Sequence, residues 1–177
     1  MKTAKWFCLL LAAGLSGCAG YHTGPTNGQA AGARSVRVDY FENQTLEPQL
    51  VVAVNRALKK RLQQDGTYTL ESHKNADLIV TGEITEFLRS GISYQPGDVL
   101  TVQDYSLQIT ANLKVTERAT GKAILEQTVT GNTVVRVGND FTAGQRRAVP
   151  LIAEHLARLA ADLIVDGPWP APPAEGP

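Results

Sequence analysis

The chain has 177 residues, room for one ordinary domain and too few for two large ones. Its 17 Lys and Arg balance 17 Asp and Glu, so it lacks the basic surplus that a nucleic-acid-binding surface needs. Apolar residues make up 43% and charged residues 19%, a globular composition, and two cysteines, Cys8 and Cys18, exclude a disulfide framework.

The first five residues carry Lys2 and Lys5, and Trp6 to Leu15 is apolar. That stretch is too short to span a bilayer, which takes about 20 residues, so residues 1–17 read as a secretory signal peptide. It ends in Leu15-Ser16-Gly17-Cys18, the pattern of a bacterial lipobox. Small residues fit a narrow protease groove, cleavage falls between Gly17 and Cys18, and the Cys18 thiol is the nucleophile that receives a diacylglyceryl group. Without that modification the mature chain would carry a lone thiol in an oxidising compartment. One acyl chain holds a protein to a membrane only marginally, at about 0.8 kcal/mol per buried CH₂; the two or three chains of a bacterial lipoprotein make a permanent anchor. Loss of Lys2 and Lys5 leaves a net charge of −2. Ala19, not Asp, follows the lipidation site, which by the enterobacterial sorting rule directs a lipoprotein to the outer membrane. Residues 18–33, rich in Gly and Ala, form a tether with a coil span of roughly 20–25 Å.

Residues 34–166 carry the domain. Ser35 to Phe41 alternates, with Val36, Val38 and Tyr40 on one face of a strand. Thr45 is the expected N-cap of a helix over 46–64, Pro48 falls in its first turn and Gly66 stops it. Leu50, Val54, Leu58 and Leu62 recur along its apolar stripe, and Lys59, Lys60 and Arg61 fall in its last turn, where cations suit the helix dipole. Tyr68 to Leu70 is a short strand. Asp77 to Leu88 is a longer one, with Leu78, Val80 and Ile84 on one face, Ile79 and Phe87 on the other, and Gly82 as a bulge or close-approach point. Ser90 to Asp98, with Gly91, Pro96 and Gly97, reads as a loop.

From Tyr105 to Thr116 the alternation is clean: Tyr105, Leu107, Ile109, Ala111, Leu113 and Val115 face one way, and Ser106, Gln108, Thr110, Asn112, Lys114 and Thr116 the other. That pattern predicts an antiparallel sheet covered on one side only. Arg118 to Gly121 turns the chain into a partner strand over 123–137 with Leu125 and Val129 inward. A second helix over 147–165 repeats Val149, Ile152, Leu156, Leu159 and Leu163; Pro150 either starts it or kinks it. Residues 167–177 hold five of the nine prolines and read as a disordered tail. The order β-α-β-β-β-β-α predicts an α+β two-layer sandwich, a mainly antiparallel sheet with two amphipathic helices on one face.

Catalytic and metal motifs do not emerge. His22, His73 and His155 have no metal-ligand spacing, and no nucleophile elbow or phosphate loop occurs. Glu83 and Glu86, like Glu117 and Glu126, read as solvated strand positions. No enzyme activity, cofactor or metal is expected.

Several segments together resemble one family. Cys18-Ala19-Gly20-Tyr21-His22, the run from Val36 through Phe41-Glu42-Asn43-Gln44-Thr45 to Pro48, the strand Ala76 to Ile84, and Tyr105 to Ala111 followed by Thr120-Gly121-Lys122 are similar in order and spacing to the LPS-assembly outer-membrane lipoproteins, the LptE-like family. Ala19 displaces Gly20 by one place relative to that family's opening, and the Pro-rich tail has no counterpart there. The resemblance implies a lipid-anchored subunit of the LPS translocon that plugs and helps assemble a large, LptD-like outer-membrane β-barrel and contacts LPS. Arg89, Arg118 and Lys122 are the basic residues expected to meet lipid A phosphates. The competing reading is a lipoprotein subunit of a secretion or pilus apparatus, since such proteins also join a lipobox to a strand ending near Phe41-Glu42-Asn43.

Overall fold

The computed structural model describes residues 31–72, 75–136 and 141–167. The lipobox, the tether up to residue 30, His73 and the tail from Pro168 onward lie outside them. The elements run β1 (Arg34–Val38), β2 (Glu42–Asn43), α1 (Gln49–Asp65), β3 (Tyr68–Leu70), β4 (Leu78–Gln95), β5 (Asp98–Glu117), β6 (Ala123–Arg136) and α2 (Phe141–Asp166). The expected order holds, with β2 added.

The sheet order is β3-β1-β4-β5-β6, with β2 also pairing β4. The short β1, β2 and β3 pair in parallel, while β4, β5 and β6 form long antiparallel ladders. As the alternation predicts, Leu107, Ile109, Ala111, Leu113 and Val115 are buried. They meet Leu50, Val54, Leu58 and Leu62 of α1 and Ile152, Leu156 and Ile164 of α2 in one core. Each of the leucine, isoleucine and valine side chains among them contributes roughly 1.5–3 kcal/mol on burial. Ala153, Ala157, Ala160 and Ala161 are buried on α2, small enough to let that helix lie close on its neighbours. α1 ends as expected: Gly66 takes φ +76° and its N–H reaches the Leu62 carbonyl at 3.2 Å.

Several expectations change in the folded chain. β1 ends at Val38, so Tyr40 is 70% exposed and Phe41 is buried in its place. The Phe41 ring fills the space above Gly82, so Gly82 is a close-approach point. α1 begins at Gln49 after Pro48, without a side-chain cap. Thr45 instead turns with Asn43, its N–H and hydroxyl donating to Asn43 Oδ1 at 3.0 and 2.8 Å. Lys59, Lys60 and Arg61 sit a turn before the helix end, with no basic residue in the last turn. They act laterally: Lys59 Nζ lies 5.2 Å from the Tyr40 ring, Lys60 pairs with Glu154, and Arg61 pairs with Asp162.

A bulge at Thr85 inserts one residue between Ile84, opposite Ala111, and Glu86, opposite Thr110. The side-chain parity of β4 then reverses, and Phe87 comes opposite Ile109 on the core face rather than the outer one. The segment Ser90 to Asp98 is not a loop. β4 continues to Gln95 and β5 starts at Asp98, joined by a two-residue turn in which Gly97 takes φ +84°. Proline then glycine at the two central positions is the composition of a type II turn. α2 is a single helix from Phe141 to Asp166 that runs through Pro150, which faces solvent.

Candidate functional site

The two helices cover one face of the sheet and leave the other open. On that open face the β5–β6 register pairs Asn112 with Thr128, Thr110 with Thr130 and Lys114 with Glu126. Thr128 Oγ1 donates to Asn112 Oδ1 at 2.9 Å, and the Thr110 and Thr130 hydroxyls meet at 3.5 Å. Cross-strand polar pairs of this kind hold register without apolar cover. The surface is broad, polar and hydrogen-bonded across its strands, suited to a wet contact.

Beyond Asp104, which pairs with Arg136 at the end of β6, the β4–β5 hairpin extends past the rest of the sheet as a two-stranded ribbon. Asp104 pins its base: it accepts from Arg136 Nε at 3.0 Å and Ser93 Oγ at 2.5 Å, which holds its carboxyl below the usual range. The ribbon carries Ile92, Tyr94 and Leu100, all exposed, Leu100 at 90%.

At the opposite end, Gly32 N–H donates to Thr67 O, and Ser35 is clamped to Asp77 through its backbone N–H and its hydroxyl, both at 2.8 Å. These two bonds, backbone first, lower the Asp77 carboxyl below its ordinary value, with Arg118 and Arg34 adding to the effect. Arg34, Asp77, Glu117 and Arg118 line an open cleft of about 250 Å³ there.

The three basic residues expected to act together are not brought together. Arg118 and Lys122 share the β5–β6 turn at this end, where Arg118 N–H donates to Asp77 O at 2.8 Å. Arg89 lies eleven residues along β4 from Leu78, some 35 Å away at strand rise. Its guanidinium meets Glu47 Oε1 at 2.7 Å and lies 5.3 Å from the Phe87 ring. No signal in the sequence links Arg89 to Glu47, 42 positions earlier.

Between the layers, the space lined by Phe41, Leu58, Ala111, Val129 and Leu156 is about 10 Å³, about that of one water-sized sphere. Among the described residues no cluster of His, Cys, Asp and Glu could hold a metal ion, and no helix is long and apolar enough to cross a membrane. His155 is occupied structurally, its Nδ1 lying 3.0 Å from Asn132 N and 2.8 Å from Asn132 O on the edge strand β6.

By sequence, no curated protein matches the chain. By structure, it is similar to a hypothetical protein of Chlamydia trachomatis, with 14% identity over 76% of this chain and 96% of that one and a TM-score of 0.55. It is similar to a Xanthomonas campestris protein of the DUF330 family, with 10% identity over 81% and 90% and a TM-score of 0.56. A PelC dodecamer from Paraburkholderia phytofirmans gives 12% identity over 80% and 93% and a TM-score of 0.53. At these identities the likeness is one of fold. The family model for LptE, described as lipopolysaccharide-assembly, matches residues 33–166, the domain from the first described turn to the end of α2. The chain therefore belongs to the LptE family of lipopolysaccharide-assembly proteins.

Proposed function

We propose that this protein is the lipid-anchored outer-membrane subunit of an LPS translocon, which plugs and helps assemble a large LptD-like β-barrel and contacts LPS on its way to the outer leaflet. The family match over residues 33–166 carries the reading. The open polar sheet face supports it, because a porin-like barrel encloses a water-filled, polar interior. Cys18 would hold the acyl chains, and the work is one of binding and positioning, with no catalytic step. Arg118 and Lys122, on one turn, and Arg89, apart from them, are the proposed phosphate contacts.

The test is an affinity-tagged full-length chain expressed in its host, captured from detergent-solubilised outer membranes and analysed by mass spectrometry. A large β-barrel at one-to-one stoichiometry is the expected result. Capture of secretion-channel components, or a ring-sized oligomer without a barrel, would overturn the reading in favour of a secretion or pilus subunit. For the contacts, reversing the charge of all three basic residues should weaken LPS binding, and unchanged binding would remove them from the contact surface.

A further inference from the structure

The helix layer has an outer surface of its own. α1 and α2 lie side by side with residues of like position in contact, Lys60 against Glu154 and Arg61 against Asp162, so the two helices run in the same direction. Between their N-terminal halves is an open furrow of about 590 Å³. That volume lies within the roughly 300–1,000 Å³ range of small-ligand sites. Its floor is apolar, with Val52, Ala53, Val149 and Pro150; Val52 is 64% exposed. Toward the helix C-termini it continues into a shallower groove of about 200 Å³ that shares Ala57, Lys60 and Glu154 with it and adds Arg158.

The charge along this trough is unbalanced. Lys60 is matched with Glu154, and Arg61 with Asp162. Among the described residues, no ion pair accompanies Arg56 and Arg146, which stand on opposite helices at the rim of the larger furrow. Two arginines lining one apolar trough from opposite helices suit a ligand with an anionic, hydrogen-bond-accepting head and a hydrocarbon body. Guanidinium binds phosphate oxygens through paired N–H donors, and a bare helix surface gains nothing by exposing valine beside them.

We infer that the furrow between α1 and α2 is a binding site for the lipid A portion of LPS, with a phosphate between Arg56 and Arg146 and acyl chain along Val52, Ala53 and Pro150. The inference rests on the LPS-contacting reading above and gives it a location on the helix layer, separate from Arg89, Arg118 and Lys122.

The experiment uses the full-length lipoprotein in detergent. Binding of purified rough LPS is measured for the wild type, Arg56→Glu, Arg146→Glu, Val52→Asp and the control Gln127→Glu on the edge strand β6, with thermal unfolding run on each. The four substituted side chains are exposed, so folding should be kept. Each furrow variant should bind at least tenfold more weakly, with Gln127→Glu within twofold of wild type. A benzophenone side chain placed at Val52 should cross-link to LPS. Equal binding by wild type and furrow variants would overturn the site while leaving LPS contact intact. Competition by phosphatidylglycerol vesicles as effective as that by LPS itself would overturn the lipid A assignment in favour of a general anionic-lipid site. Absence of LPS binding by the wild type would overturn the contact reading, and the site with it.

Discussion

Gly131 of β6 lies directly beneath Leu156 of α2: a Cβ at position 131 would stand 2.9 Å from the Leu156 backbone nitrogen and 3.0 Å from its Cβ. The obstacle is helix backbone, which has no rotamer by which to step aside. Gly131→Ala should therefore push α2 off the sheet and cost about 1–3 kcal/mol, the usual range for overpacking, with Gly131→Val worse. Urea unfolding of both variants checks this. A loss under 0.5 kcal/mol for Ala would mean that α2 slides freely on β6.

Asn55 is 2% exposed on α1. Its Nδ2 donates to the Val51 carbonyl at 2.9 Å, but among the described residues its buried Oδ1 has no partner. An unsatisfied buried acceptor costs about 1–3 kcal/mol, and leucine has a similar volume with no polar atom. Asn55→Leu should raise the unfolding free energy by about 1 kcal/mol. Destabilisation in the same urea experiment would show that Oδ1 has a partner, such as an ordered water.

The Ser35–Asp77 clamp makes acid sensitivity local. The Asp77 carboxyl titrates below its ordinary value because Ser35 donates twice to its ionised form. A lowered folded-state pKa stabilises the fold at pH values above the ordinary aspartate pKa, near 3.9, and that contribution fades as pH falls through the lower folded value. Ser35→Ala should move the Asp77 carboxyl resonance, followed by NMR titration, up toward the ordinary range. It should also reduce the steepness of acid unfolding below about pH 4. An unmoved Asp77 titration would assign the shift to Arg118 and Arg34 instead.

Arg89 separates folding from binding. Arg89→Glu sets a carboxylate against Glu47 and gives up the contact with the Phe87 ring, and should cost about 1 kcal/mol. Combining it with Glu47→Arg should restore most of that loss. Arg118→Glu and Lys122→Glu, on an exposed turn, should stay within about 0.5 kcal/mol of wild type. If the Arg89 variants change LPS affinity only in step with their stability, Arg89 serves the fold.

Legibility in the sequence followed the range of the forces involved. The inward face of β5 was readable because six alternating apolar residues leave one arrangement that buries them all, and the α1 stop was readable because Gly66 carries its reason in its own backbone. The parity change after Thr85 was not, since a bulge exists only relative to a partner strand, and nothing local in Thr81 to Phe87 demands one. The extension of β4 through Gly91 to Gln95 was hidden for a related reason: Gly91, Pro96 and Gly97 look like loop residues until pairing with β5 leaves just Pro96 and Gly97 to turn. Tyr40 and Phe41 exchanged places because the strand ended at Val38, three residues early. For function, the lipobox pattern proposed at Leu15 to Cys18 is local, four residues long, whereas the furrow between α1 and α2 joins Arg56 to Arg146, ninety positions apart. A basic residue one turn beyond an exposed valine was the trace that Val52 and Arg56 left in the sequence.

The end-to-end layout of β4 has a consequence for reach. Its 18 residues start beside the Ser35–Asp77 clamp, where the N-terminal segment joins the domain, and finish at the Pro96-Gly97 turn. At strand rise that is a span of roughly 55–60 Å. With the anchor proposed at Cys18, the chain would enter the domain at one tip, and Ile92, Tyr94 and Leu100 stand toward the other. Those three side chains are separated from the clamp by most of the length of one strand, and shortening the β4–β5 ribbon by paired deletions would shorten that separation while leaving the core beneath the helices in place.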